Sequence, residues 1–493
     1  MKKIITLIQK KIQFIYLLLI LIISFFTYLN NYNYPPALFW DENYHIASSE
    51  KYLNGVMFME PHPPLGKLLI ALSEKIINPN KNLDKTSFLK TDHIKNIPEG
   101  YNFSGVRFAS AFLSFISPIL FFLILIQLFN NIHFSFLFTS LILFDNALIV
   151  HSRSAMLEGQ QIFFILLAFL YFLIIFKDNR INNYKYLILS LITGIAISIK
   201  VNSMILCLLF IIIIIKEYYN DIIKLNFSIK LIKEILIKTL TVFAGIFFII
   251  FIAFYIHFAL GKKIIDNRYY NAKKTYKEIL KKGETANPLY FFIMFKDNLE
   301  YMKNYQKGVP RLDPCKEGEN GSYPIGWPLG IKSINYRWAK NNNQVRYIYL
   351  QGNPITWFIG FISMLLSFIL IGSFLFFNNK ITNIDIFIKL IIFTSIYLVY
   401  MLVMLKIQRV MYLYHYFIPL IISYINSYLI FNYILEKLIS SKNKTIYIVV
   451  ILLVIIIFCV FLFYSPLTYY KPLTTEQFVK RIWTGAWKLQ YIK

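Results

Sequence analysis

Apolar runs of about twenty residues recur along the whole chain, and a run of that length is what an α-helix needs to cross the hydrocarbon core of a bilayer. Those long enough number about eleven, starting roughly at residues 12, 105, 133, 159, 184, 203, 239, 355, 386, 412 and 445. The fold class that follows is an all-α polytopic membrane protein, with residues 1–493 as a single integral membrane domain. Composition agrees: 57% of the 493 residues are hydrophobic, 18% aromatic and only 15% charged, with a mean hydropathy of +0.55, outside the usage of soluble globular domains. The net charge of +26 is not a nucleic-acid footprint, because the lysines fall in short tracts between apolar runs and do not line one surface.

Those tracts set an expected topology. Lys2, Lys3, Lys10 and Lys11 precede the first run, which has no small-residue cleavage site. It reads as a retained helix with a cytoplasmic N-terminus. Threading the remaining spans puts the lysine-rich tracts 177–185, 216–238 and 437–444 inside, as the positive-inside rule requires. Two long polar segments, 31–104 and 261–353, and a tail at 465–493 then fall on the outer face. The second segment ends in Tyr323-Pro324-Ile325-Gly326-Trp327-Pro328 and Gly352-Asn353-Pro354, which predicts tight turns. Cys207 and Cys459 lie in apolar runs and Cys315 stands alone in a polar loop, so no disulfide framework is readable. No metal-ligand spacing selects an ion, and no glycine-rich phosphate loop, nucleophile elbow or internal repeat stands out.

The first outer segment carries the chemistry. Asp41-Glu42 is followed by His62-Pro63-Pro64-Leu65-Gly66-Lys67, which places two carboxylates, an imidazole, a rigid turn and a cation where the membrane surface begins. A transferase acting on a lipid-phosphate donor needs that set. Further polar residues fall at span ends on the same expected face: Arg107; His151, Ser152, Arg153 and Glu158; Lys200 and Asn202; Lys406, Gln408, Arg409 and His415, with Asp145 and Asn146 just inside the third span. Lipid does not tolerate such groups without partners. Plainer readings exist beside these: the acidic pair as solvated loop carboxylates, His62 as a turn cap, Lys67 snorkelling to head groups, Arg107, Arg409 and His415 as interfacial anchors, and Glu158 with Arg153 as a structural ion pair.

Asp41-Glu42 with the HPPLGK string resembles the first-loop signature of the protein O-mannosyltransferases. The resemblance continues in order through Arg107, Ser152-Arg153 with Glu158, Gly194 to Lys200, Gly326-Trp327-Pro328, Gly352-Asn353-Pro354 with Trp357, and Tyr414-His415-Tyr416 with Pro419. The chain lacks the soluble carbohydrate-binding-like insertion of eukaryotic members and so is similar to the compact bacterial type. It departs from the family pattern at four places: Tyr44, followed by His45, stands where the family has His; Glu60 and Glu158 replace aspartates; and Tyr414 replaces the first of two histidines.

What the resemblance implies is a glycosyltransferase of GT-C-like architecture that moves mannose from a polyprenyl-phosphate donor to Ser or Thr hydroxyls of exported proteins, with inversion. On that implication Asp41 is the candidate base, with Glu42 orienting the acceptor or sustaining the carboxylate pair. Arg107, His62, Lys67 and Arg409 compensate the phosphate, and His415 lies in the substrate site. The lipid-linked sugar is the one cofactor-like requirement. The expected partners are that donor, a secreted or membrane-protein acceptor and the bilayer of a plasma membrane, with no nucleic acid. Three alternatives stay open: a sister transferase that modifies lipid A or another glycolipid; a lipid-carrier flippase or transporter, for which an internal repeat or mid-membrane charges would be expected; and a purely structural assembly protein, which leaves the convergent polar cluster unexplained and predicts that Asp41→Asn is silent.

Overall fold

The computed structural model describes residues 2–226, 228–341, 344–377, 381–438 and 444–490. Each expected apolar run forms helix. Among the described residues eight helices, from Gln9–Leu29 to Lys444–Thr468, are long and apolar enough to cross a membrane. The bent pair Ile132–Leu143 and Asn146–Ser152, whose axes meet at 62°, makes a ninth if it is one span. The runs starting near 184 and 203 are shorter. Asn183–Ile199 has 17 residues and reaches only about 26 Å at 1.5 Å per residue. Its successor is a 3₁₀ turn, Val201–Leu206, leading into the 11-residue helix Cys207–Glu217. Side-chain caps begin several of the long helices: Asn131 accepts from the Phe134 N–H, Ser228 from Leu231 and Asn383 from Ile386, each satisfying one of the orphan donors of a first turn.

The chain divides into two compact units, residues 1–30, 115–151 and 311–493 forming the first and residues 31–114 and 152–310 the second. In the first unit the bend between Ile132–Leu143 and Asn146–Ser152 has a chemical cause. The fully buried Asp145 sits in the break and accepts hydrogen bonds from the Leu148 N–H at 2.9 Å, Trp357 Nε1 at 2.7 Å, the Tyr424 hydroxyl at 2.7 Å and the Thr356 hydroxyl at 3.1 Å. Beside it Asn146 donates to Thr468 Oγ1 at 2.8 Å. A carboxylate that finds four donors can occupy the interior of a bundle.

Within the all-α architecture this unit also carries one small sheet. Ile334–Asn341 and Gln344–Leu350 pair antiparallel, with Ile334 opposite Leu350 and a bulge between Asn335 and Arg337, and Pro472–Leu473 adds a third strand beside Gln344–Leu350. The tail after the last long helix therefore folds back onto the end of the second polar segment. Val345, Tyr347 and Tyr349 pack there with Tyr464, Phe478 and Trp487. The expected tight turn is a 3₁₀ helix, Pro324–Leu329, closed by Gly330 at φ +66°.

In the second unit Asn183–Ile199 lies along Ile229–Leu260. A methyl group at Gly194 would meet the Ile246 Cα at 3.1 Å, so the small residue permits close backbone approach. The segment 31–104 folds into Glu42–Asn54, ended by Gly55 at φ +68°, and Leu65–Ile77. Ile46, Ala47 and Ile70 from these helices pack with Tyr101, Phe103, Val106, Ala155 and Leu157. The glycine of the HPPLGK string is dictated by this core, since a side chain at Gly66 would meet Leu157 at 2.8 Å and Ile199 at 3.2 Å.

Candidate active site

The acidic pair opens the helix Glu42–Asn54, and its two members have different surroundings. Glu42 is fully buried. Its Oε1 accepts from Arg107 Nε at 2.7 Å and the Ala155 N–H at 2.8 Å, and its Oε2 from Arg107 at 2.8 Å and the Phe39 N–H at 3.2 Å. Arg107 spends its other three N–H donors on the carbonyls of Asn33, Pro35 and Ala37, each at 2.8 Å. Its guanidinium lies 4.1 Å from the Phe103 ring centroid and 4.9 Å from that of Phe39, a cation–π contact on each ring. A guanidinium has five N–H groups, and all five are committed. The Arg107–Glu42 pair thus acts as a latch that fixes the chain from Asn33 to Glu42.

What the latch fixes is Asp41. Trp40, immediately before it, has φ +53°, a left-handed backbone that costs a residue with a side chain on the order of 1–3 kcal/mol unless its surroundings impose it. The grip of Arg107 on Ala37 and of Glu42 on Phe39 imposes it from the preceding residues. Asp41 stands at the N-cap position, but its side chain makes no cap hydrogen bond. It is half-buried, unlike its neighbour.

His62 is also half-buried, on the turn that leads into Leu65–Ile77. Lys67, one turn along that helix, is buried and donates to Glu60 Oε2 at 2.7 Å and to Ser48 Oγ at 3.2 Å. Glu60 is fully buried; burial pushes its carboxyl above the ordinary range, and Lys67 opposes that rise. The Tyr52 hydroxyl reaches Glu60 Oε1 at 3.2 Å and lies 2.9 Å from His257 Nδ1, and Asn298 clasps the Glu60 backbone through both its amide groups. Lys67 is thus half of a buried ion pair with Glu60 beneath the turn.

Two features of this unit were given no role by the sequence. His45, three residues past Glu42 and so on the same face of its helix, places Nδ1 2.8 Å from the Ala155 carbonyl. A carbonyl only accepts, so Nδ1 carries the proton and Nε2 is left as the acceptor. Burial, reinforced by Lys67, lowers its pKa to about 3, which keeps the ring neutral. Lys51, on the same helix, is buried against Asp92 and against the Tyr270 hydroxyl at 2.8 Å. The signal was the charge itself, a lysine inside an otherwise buried helical stripe. Glu158 forms an ion pair with Lys200, and Arg153 donates to the Asn31 carbonyl at 2.7 Å.

Arg409 and His415 belong to the first unit. Arg409 is half-buried and bridges Arg311 through the backbone. His415 is buried in a column of rings, 4.6 Å from Tyr414 and 6.2 Å from Trp327 between centroids, and His151 stacks on Tyr414 at 5.0 Å. Among the described residues no group of three or more His, Cys, Asp or Glu is placed to hold a metal ion.

Comparison with known proteins agrees along the whole length. Residues 18–261 match the family described as dolichyl-phosphate-mannose-protein mannosyltransferase, and residues 294–487 match the C-terminal four-helix membrane region of protein O-mannosyltransferase. Protein O-mannosyl-transferase 2 of Danio rerio is 27% identical over 184 residues, 37% of this chain and 23% of that protein. Dolichyl-phosphate-mannose–protein mannosyltransferase 4 of Schizosaccharomyces pombe is 30% identical over 177 residues, 35% of this chain and 22% of that protein. The matched stretch is therefore less than a quarter of either relative. In three dimensions the chain is similar to the Saccharomyces cerevisiae protein O-mannosyltransferase Pmt1-Pmt2 complex bound to the sugar donor, with a TM-score of 0.78 and 16% identity, covering 96% of this chain and 92% of the other.

Proposed function

The chain belongs to the protein O-mannosyltransferase family, and from that membership we propose that it transfers mannose from a polyprenyl-phosphate donor to Ser or Thr hydroxyls of exported proteins. The observation that carries the mechanism is the unequal treatment of the acidic pair. Glu42 is engaged by Arg107 and two backbone N–H groups, whereas Asp41 beside it is half-buried at the surface of the loop, and Asp41 is the carboxylate we assign to meet the substrate. It accepts the proton of the attacking hydroxyl as the anomeric carbon becomes oxocarbenium-like, and the lipid phosphate departs from the opposite face with inversion. The departing phosphate needs charge compensation and no general acid. His62 is the group of the second unit assigned to it, and Arg409 and His415 are the substrate-binding residues that the family resemblance implies for the first unit. Lys67 and Arg107 act from behind, by holding the HPPLGK turn and the Asp41 loop. The reaction belongs to the outer face of a plasma membrane, where exported acceptors arrive.

The test is transfer of labelled mannose from polyprenyl-phosphate mannose to protein in isolated membranes, wild type against Asp41→Asn at matched insertion. Transfer by the wild type that vanishes in the variant supports both the reaction and the base. Label found on a glycolipid would change the acceptor class, and equal transfer by both forms would remove Asp41 from the mechanism.

A further inference from the structure

The first unit holds a cavity that the proposed reaction does not use. Its volume is about 600 Å³, and its walls come from three membrane-spanning helical segments: Phe26 near the N-terminus, Phe136 and Leu143 of the bent pair, and Phe458 and Leu462 of the last long helix. Phe26, Phe458 and Leu462 are 61%, 41% and 49% exposed, so the cavity opens sideways between helices. In a bilayer what lies beside such an opening is hydrocarbon. Three of the four hydroxyls along it are directed at backbone: Thr27 donates to the Ile23 carbonyl, Ser465 to Leu462 and Tyr469 to Thr27. The cavity therefore addresses an apolar occupant and not a small polar one.

One end is different. Lys471 follows the end of Lys444–Thr468, is exposed, and holds its ammonium 5.8 Å from the Tyr469 ring centroid, with no carboxylate in ion-pair reach among the described residues. A tyrosine and a lysine just past the end of a span are where interfacial groups sit. A second apolar cavity, of about 220 Å³, abuts the first across Leu137, Ser140 and Val454.

We propose that this is a site for one anionic diacyl phospholipid, its phosphate on Lys471, one acyl chain in the larger cavity and the other turned toward the smaller. Size supports the assignment. A water needs only a small fraction of about 600 Å³, so the larger cavity has room for an acyl chain. Two abutting apolar cavities behind one cation suit a two-chain lipid better than a single, much longer polyprenyl chain, which separates this site from the donor's.

The experiment uses the full chain, purified in detergent, stripped of lipid and then offered phosphatidylglycerol, phosphatidylcholine or polyprenyl phosphate at equal concentration, with bound lipid read by native mass spectrometry. The wild type is expected to retain one phosphatidylglycerol in preference to phosphatidylcholine. Lys471→Gln, at an exposed position that leaves folding alone, is expected to reduce that preference about fivefold, the value of one basic residue at an anionic surface. Val454→Trp, which fills the shared wall from a half-buried position, is expected to abolish retention of both phospholipids. Retention that ignores the head group in wild type and Lys471→Gln alike, displacement by polyprenyl phosphate, or no retained lipid would each overturn the proposal. The readout is binding, so it stands apart from transferase activity.

Discussion

Adjacent residues of one type can be driven to opposite uses by a single partner. The pair Asp41-Glu42 was legible in the sequence as chemistry, but its division of labour was not, because three of the five hydrogen bonds by which Arg107 holds the loop go to the backbone carbonyls of Asn33, Pro35 and Ala37, which carry no side-chain signature, and the other two reach Glu42 across 65 residues. Two substitutions separate the roles. Asp41→Asn should lower transfer by about 10²- to 10⁴-fold, the range of a lost general base, with thermal stability in detergent unchanged. Glu42→Gln should lower stability by about 3–5 kcal/mol, because it leaves the Arg107 charge buried without its partner, and activity should fall with the folded fraction; thermal unfolding measured beside transfer distinguishes the two patterns. A third carboxylate makes a pH prediction. Glu74, buried beneath Gly105, accepts from Asn80 at 3.0 Å, with Glu50 and Lys85 nearby and Oε2 without a hydrogen-bond partner among the described residues. Burial raises its pKa from 4.5 to about 7. The folded state therefore keeps a proton that the unfolded state releases above about pH 4.5, and linkage makes this contribution fade as pH rises from about 5 to 7. Glu74→Gln, which cannot titrate, should show a flatter melting-temperature profile across that window; parallel profiles for wild type and variant would refute the assignment.

Elements were read most reliably where one period ran uninterrupted, and least where chemistry breaks a period. All eleven apolar runs are helical, yet the third is bent at Asp145, whose four donors come from Leu148 and from Thr356, Trp357 and Tyr424, more than 200 residues away. The sequence displayed the carboxylate and the neighbouring Asn146 as anomalies but could not show the partners. The strands at 334–350 escaped for a different reason: Lys, Asn and Arg alternate with Tyr and Ile there, which reads as a polar loop until the tail supplies Leu473 and Phe478 as the other half of the core. The bend makes its own prediction. Asp145→Leu removes the acceptor and leaves the Trp357 indole and the Tyr424 hydroxyl buried without partners, at about 1–3 kcal/mol for each such group. The variant should unfold at a distinctly lower temperature than the wild type, whereas Asp145→Asn, which keeps one acceptor oxygen, should fall between them. Equal melting temperatures for Asp145→Leu and wild type would mean that the bend is set by something other than this carboxylate.

At the scale of the molecule, segments distant in sequence are woven into two units, since residues 31–114 and 152–310 form one and the chain on either side of them forms the other. The HPPLGK turn and the acidic pair lie in the second unit, and Arg409 and His415 in the first. Hydropathy detects each run but not which runs associate, and that pairing depends on small residues such as Gly194 and on buried polar partners. Orientation in the bilayer, by contrast, is a whole-chain property that sequence charge does address, because lysine tracts resist crossing the membrane. On the lysine-based expectation of eleven spans and a cytoplasmic N-terminus, we propose that the segment 261–353 faces outward. Cys315 lies in it, exposed and unpaired in any disulfide, while Cys207 is half-buried within a helix and Cys459 sits in the middle of the last long helix. A membrane-impermeant maleimide applied to intact cells should therefore label the protein, and Cys315→Ser should abolish the label. Labelling that appears only after the membrane is opened would place this segment inside, reverse the lysine-based orientation, and move the Asp41 loop with it to the cytoplasmic face, where exported acceptors are not found.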